Sequence, residues 1–155
     1  MPDFDVRGLR DQAGVARAAL LEHARSLSES RAYGKTDRPG WTLKHELASV
    51  VAADGELLHL LGELRRGRAL HAGLDLRRRF AQAMHAVQEL RLSRIVERLE
   101  EGAAAFARQI DGHGELLARP LTLAGSEARS LGELAHEHVE RVREAVRTFE
   151  QHTPR

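Results

Sequence analysis

The chain has 155 residues, of which 42% are apolar and 30% are charged, and its formal net charge is +1. This length and composition predict one globular domain over residues 1–155 that is large enough to bury a core, and the abundance of Leu, Ala, Arg and Glu favours helices. The balanced charge argues against a nucleic-acid-binding protein, which needs a basic surface.

The sequence also excludes several kinds of chemistry and location. It contains no cysteine, so disulfides, thiolate nucleophiles and cysteine-ligated zinc are ruled out, and any thiol chemistry needs a thiol from outside. The first residues, "MPDFDVRG", lack the basic and apolar regions of a signal peptide. No uncharged apolar run approaches the roughly 20 residues of a membrane span. We therefore expect a cytoplasmic protein without membrane contact.

Two long helices are predicted in the first half of the chain. Apolar residues spaced three and four apart predict the first helix over Leu9–Leu27. The stretch "SESRAYGKTDRPG" is typical of a loop. The second helix is predicted to start at the N-cap Thr42, after a turn at Gly40 and a large apolar anchor at Trp41, and to end near Arg66.

The second half predicts one short and two long helices. The short helix covers Leu76–Glu89, and the third long helix begins after Ser93 and ends at "DGHG". Ser130 and Glu133 fit the capping box of the last helix. No strand is predicted, because "PLTLAG" is too short and isolated to pair. The pattern indicates an all-α four-helix bundle with a short extra helix between helices 2 and 3, and it leaves the topology open.

Three ionisable residues lie on apolar helix faces. Asp54 lies near the centre of the apolar stripe of the second helix, His138 lies on that of the last helix, and His23 lies on that of the first helix. A buried charge needs a partner, so these residues are site candidates. Each also has a structural alternative: a histidine hydrogen-bonded in the core, or an aspartate that pairs with an arginine or caps a backbone.

Two stretches carry a resemblance to a known family. "GWTLKHELASVVAADGELLHLL" resembles the second helix of the DinB-like superfamily, the bacillithiol and mycothiol S-transferase-like proteins, and "SLGELAHEHVERVREAV" resembles its last helix. The resemblance implies a four-helix fold that commonly dimerises. It also implies a divalent metal, such as zinc or nickel, held by one histidine on helix 2 and two on the last helix. Such a metal could activate a low-molecular-weight thiol.

The chain departs from that metal-binding pattern. The helix 2 position is Ser49, and if His138 is the first histidine of the final pair, the second position is Val142. Serine is a poor ligand for these metals, and valine is no ligand. We therefore expect no bound metal cofactor. The remaining rebuilt site would combine Asp54 with His138 and also His23.

Two functions follow from this resemblance and its departure. The first is a metal-free protein with a remnant pocket that binds a small molecule or a partner, and the pocket candidates are His23, Ser49, Asp54, His138 and Val142. The alternative is a metal-dependent thiol S-transferase-like enzyme with a rearranged site. The small residues at 102–105 and the family resemblance also predict a homodimer.

Overall fold

The computed structural model describes residues 5–66, 76–112, 114–118, 120–121 and 129–152. Within these ranges the helices and strands are, in chain order, α1 (Val6–Ser26), α2 (Glu29–Ala32), α3 (Leu43–Arg65), α4 (Leu76–Gln88), α5 (Leu92–Gly112), α6 (Gly114–Leu117), β1 (Pro120–Leu121), β2 (Arg129–Ser130) and α7 (Leu131–His152). The predicted four-helix bundle with a short helix between the second and third long helices is confirmed. None of the described helices is both long enough and apolar enough to cross a membrane.

The predicted helix starts follow from local capping. The Thr42 hydroxyl accepts a hydrogen bond from the His45 backbone N–H at 3.2 Å, and the Thr42 N–H donates to Nδ1 of His45 at 3.0 Å. His45 thus does what Glu or Gln does in most capping boxes. Gly40 has a φ of 73°, so it turns the chain just before this cap. The Ser130 hydroxyl caps α7 by accepting from the Glu133 N–H at 3.1 Å.

Two predictions for the connecting segments are wrong. Pro120 and Leu121 do form a strand, which pairs antiparallel with Ser130 and Arg129. This pairing is not visible in the sequence because the partner residues lie at the start of a helix and carry no β pattern. Residues 122–124, the rest of "PLTLAG", lie outside the described residues. The predicted loop after α1 contains the four-residue α2, which Ser28 caps through the Arg31 N–H.

The packing of the four long helices defines their positions in the bundle. Helix α3 packs against α4, α5 and α7, whereas α1 packs against α5 and α7, so α1 and α3 lie diagonally opposite each other. Contact on several sides explains why α3 is apolar around most of its circumference. Trp41, just before α3, is half-buried and packs against the core, as predicted.

The core has two apolar clusters. The first includes Leu20, Leu47, Leu99 and Phe149, and the second includes Leu9, Leu60, Ile110 and Leu131. Helices α1 and α7 run from the second cluster to the first, while α3 and α5 run from the first to the second. Helices α3 and α5 are therefore parallel, and the intervening α4 packs beside α3 as the chain returns.

Candidate functional site

A layer of buried polar side chains lies between the two apolar clusters. Arg17 of α1, Asp54 of α3 and His138 of α7 are only 6%, 4% and 6% exposed. Along each of these helices, the polar residue lies near the point where one cluster gives way to the other. The bundle thus brings together Asp54 and His138, two of the predicted candidates, and adds Arg17.

The Asp54 carboxylate is the centre of this layer. Its Oδ1 and Oδ2 accept hydrogen bonds from Nη2 and Nη1 of Arg17 at 2.5 and 2.9 Å. Its Oδ1 also lies 2.6 Å from Nε2 of His138. Nη1 of Arg17 donates further to the Leu99 carbonyl of α5 at 3.5 Å. A two-pronged contact between guanidinium and carboxylate is the strongest ion-pair geometry available to these side chains, and here it links opposite helices.

These contacts decide the ionisation of Asp54. Burial opposes the charged form, but the hydrogen bond from His138 and the charge of Arg17 outweigh it and hold the pKa of Asp54 below its ordinary value. Asp54 is therefore a carboxylate at neutral pH. It is not a candidate for a proton donor in catalysis.

His138 is oriented by the same carboxylate. The short Nε2–Oδ1 distance favours a proton on Nε2, which makes Nε2 the donor to Asp54. The other ring nitrogen, Nδ1, is buried without a hydrogen-bond partner among the described residues. The ring edge packs against Phe106, with 6.0 Å between the ring centroids. The carboxylate and the aromatic ring together hold the imidazole in one orientation.

Gly102 of α5 makes room for this layer. A Cβ atom at this position would overlap Oδ2 and Cγ of Asp54. Helix α5 therefore has no side chain at position 102, where the Asp54 carboxylate lies. Because α5 also provides the Leu99 carbonyl, all four long helices contribute to the polar layer. Gly102, one of the small residues predicted to form a dimer face, instead packs into the interior.

The Asp54 and His138 pair does not fit the metal that the resemblance implies. Both carboxylate oxygens already accept hydrogen bonds from Arg17, and the guanidinium lies where a cation would be needed. His23, the proposed third ligand, instead stacks on Phe149 with 5.6 Å between the ring centroids. In the described parts of the chain, no three His, Asp or Glu residues are grouped so that they could hold a metal.

A separate cavity of about 540 Å³ lies between the N-terminal half of α3 and α7. Its walls come from these two helices and from the segment before α3. The lining residues are Thr36, Asp37, Arg38, Trp41, Glu46, Ser49, Glu137, Glu140, Arg141, Glu144, Thr148, Gln151 and His152.

Ser49 is the candidate that lines this cavity. Its hydroxyl donates to the Glu46 carbonyl at 2.7 Å. Several residues spaced four apart on α7 line the cavity with Ser49, and one such pair is Glu137 and Arg141, each one position before His138 and Val142. His138 points instead to Asp54, and Val142 lies in the first apolar cluster. Carboxylates also line this cavity, but among the described residues no three His, Asp or Glu side chains are grouped to hold a metal, so the family metal does not fit this cavity either.

The cavity contains charges of both signs. Burial raises the pKa of the half-buried Glu46, and the nearby carboxylate of Glu144 acts in the same direction. Partial burial lowers the pKa of Arg141; the charge of Glu46 opposes this shift, and the like charge of Arg38 adds a smaller one in the same direction. Arg141 nevertheless remains a cation at neutral pH, because an arginine side chain titrates only at very high pH.

Sequence reasoning missed Arg17 and most of the cavity. Arg17 lies on the apolar stripe of α1, between Ala13 and Leu20, so a charge on that face was an available signal. The cavity residues on α7 carried no such signal. They lie on the polar face of an amphipathic helix, where charged residues are ordinarily solvated.

Comparison with solved structures identifies the fold. The mycothiol-dependent maleylpyruvate isomerase superposes with a TM-score of 0.77 at 12% identity, over 96% of this chain and 63% of that protein, so the chain spans less than two thirds of the isomerase. An uncharacterised protein from Clostridium difficile 630 gives a TM-score of 0.76 at 15% identity over 94% of each chain. A protein from Streptococcus pneumoniae gives 0.74 at 14% identity over 96% and 92%.

These similarities agree with the sequence motifs at the level of the fold. No protein-family model matches the chain, and no curated protein matches it in sequence. The chain has the DinB-like four-helix fold.

Proposed function

We propose that this protein binds a small molecule in the cavity between α3 and α7, without a metal. The observation that carries the proposal is the cavity itself, whose volume of about 540 Å³ lies within the range of small-molecule sites. Its lining mixes arginines, carboxylates and hydroxyls, and the described His, Asp and Glu residues form no group of three that could hold a metal, which favours an organic ligand over a metal ion. A low-molecular-weight thiol is one ligand of suitable size, and the chain itself has no cysteine.

A second candidate is a metal-dependent thiol S-transferase-like enzyme with a rearranged site. The fold shared with a mycothiol-dependent isomerase favours it. Its metal would need Asp54 and His138, and it would have to displace Arg17 from both carboxylate oxygens. We rank this candidate second because removing a partner from a buried ion pair is strongly unfavourable.

A ligand screen with a blocked cavity tests the first candidate. Thermal shifts of the wild-type protein are measured against a panel of small organic acids, amines, neutral aromatics and thiols. The variant Thr148→Trp places a large ring in the cavity wall, whereas Val15→Trp places it on α1, where Val15 is 75% exposed. The proposal expects stabilising compounds whose effect is lost in Thr148→Trp and kept in Val15→Trp. It fails if no compound in any class shows this dependence.

The homodimer and the cytoplasmic location stay proposals. Of the small residues at 102–105, Gly102 is buried, Ala104 is exposed, and Ala103 and Ala105 are half-buried. An exposed alanine allows close approach of a second helix, so a dimer through α5 is sterically allowed. The molar mass from light scattering tests it: a dimer has twice the 17.3 kDa of one chain.

A further inference from the structure

Three of the five carboxylates that line the cavity lie beside a basic side chain. Glu140 accepts a hydrogen bond from Arg143, and Glu144 accepts one from Arg147, each three residues further along α7. Asp37 lies 3.5 Å from Nε2 of His152. These pairs reduce the negative potential that a simple count of acidic residues would suggest.

The two arginines that line the cavity, Arg38 and Arg141, contact aromatic rings. The guanidinium of Arg38 lies over the Trp41 ring at 4.1 Å from its centroid, and that of Arg141 lies over the Phe80 ring at 4.9 Å. Within the described residues, neither guanidinium forms an ion pair or a hydrogen bond with a carboxylate. Contact with an aromatic face leaves the N–H groups in the guanidinium plane available as donors.

Arg38 and Arg141 both contribute positive charge to the cavity. Both line the cavity, and each is close enough to influence Glu46. Burial is the main cause of the lowered pKa of Arg141; Glu46 opposes this shift, and the like charge of Arg38 adds a smaller contribution in the same direction as burial. Glu46 is near both cations and attracts them, and a carboxylate ligand would add hydrogen bonds from their N–H groups to this attraction.

We propose that Arg38 and Arg141 bind the carboxylate of a small organic acid in this cavity. The inference rests on the proposed function and names the ligand class. A monoanion fits better than a phosphate dianion, because Glu46 and Glu144 lie nearby and repel added negative charge. Trp41 also lines the cavity, with Arg38 over its ring and His45 stacked on it, and its remaining ring atoms add apolar surface to the wall.

Benzoate is the probe, and benzamide is its uncharged counterpart. Trp41 is the only tryptophan of the chain, so its fluorescence reports occupancy beside Arg38. Calorimetry at low and high salt measures the affinity independently. We expect benzoate to bind more tightly than benzamide and than phenyl phosphate, and added salt to weaken benzoate binding.

Variants that each remove one positive charge test whether Arg38 and Arg141 are responsible for benzoate binding. Arg38→Gln and Arg141→Gln should each weaken benzoate binding by about tenfold or more and leave benzamide binding unchanged. The control Arg25→Gln removes an equal charge from α1, where Arg25 pairs with Glu100 outside the cavity. It should bind benzoate like the wild type.

The results separate this inference from the proposed function. If benzoate binding is lost in Thr148→Trp but unchanged in both arginine variants, the cavity binds ligands and the carboxylate site is wrong. Equal affinity for benzoate and benzamide, or no benzoate binding at millimolar concentration, also overturns the carboxylate site. The proposed function fails only if no class of compound depends on the cavity.

Discussion

Nη2 of Arg17 lies 2.5 Å from Oδ1 of Asp54, and this contact joins α1 to α3 across the diagonal of the bundle. His138 adds α7 through the same carboxylate oxygen. Because the contact is buried, neither partner is readily solvated by water if the other is removed. The polar layer therefore favours one axial register of the helices over shifted arrangements, which would leave a charge unpaired in the core.

Asp54→Asn is expected to destabilise the protein strongly. The variant keeps the size of the side chain but leaves the Arg17 charge buried without a counter-ion, which typically costs about 3–5 kcal/mol. Urea unfolding measures the change in the free energy of unfolding. Glu100→Gln is the control, since it breaks the exposed pair with Arg25 and should cost less than about 1 kcal/mol. Similar losses in the two variants would contradict a special role for the buried pair.

The difference in the free energy of unfolding between wild type and Asp54→Asn should depend on pH. Burial alone would raise the pKa of Asp54, but the hydrogen bond from His138 and the charge of Arg17 hold it below its ordinary value. The stabilisation is therefore fully present above the unfolded-state pKa and is lost as the pH falls through the lower folded-state pKa. Urea unfolding of both proteins should give a constant difference from neutral pH down to about pH 5, then a shrinking one below about pH 4. A difference that stays constant in acid would show that Asp54 does not carry the effect.

Two glycine substitutions should act in opposite directions. Gly102→Ala places a methyl group against Asp54 and should destabilise the protein by about 1–3 kcal/mol. Gly55→Ala, on the exposed side of α3, meets no atom within 4 Å and should stabilise it by about 0.5–1 kcal/mol. Thermal unfolding of the two variants checks this. A harmless Gly102→Ala would mean that α5 does not approach Asp54 closely.

The features that sequence predicts best are local. Thr42 and Ser130 mark helix starts because a cap depends on neighbouring residues alone. The placement of Asp54 and His138 near the core followed from helical periodicity, and burial then required a partner. That partner, Arg17, was missed, although its position on the stripe of α1 was visible in the sequence.

The cavity could not be predicted because it depends on tertiary geometry. Whether α7 presents Glu137 and Arg141 or His138 and Val142 toward Ser49 is decided by a rotation of about 100° about the helix axis, the angle between adjacent residues. Aligning the sequence to the family motif cannot fix the register of α7 to within one residue, because most of the motif's ligands are missing from this chain. The two-residue pairing of β1 with β2 likewise depends on contacts between distant parts of the chain.

A designed metal site tests the orientation of α7. Ser49→His combined with Glu137→His and Arg141→His places three imidazoles on the wall of one cavity. We expect this variant to bind nickel or zinc, as measured by calorimetric titration. Ser49→His with Val142→His, which relies on native His138, should not bind, because His138 is held by Asp54 and Val142 lies in the core. If only the variant with Ser49→His and Val142→His binds metal, the orientation described for α7 is wrong.

The most direct test of a metal-free cavity is the metal content of the wild-type protein, purified without a histidine tag and dialysed against zinc, nickel and manganese in turn. Elemental analysis by mass spectrometry should find far less than one metal ion per chain for each metal. This result is expected because Arg17 occupies the Asp54 carboxylate and the cavity wall presents Ser49 and Arg141. One tightly held ion per chain that is lost in His138→Ala or Ser49→Ala would contradict the account.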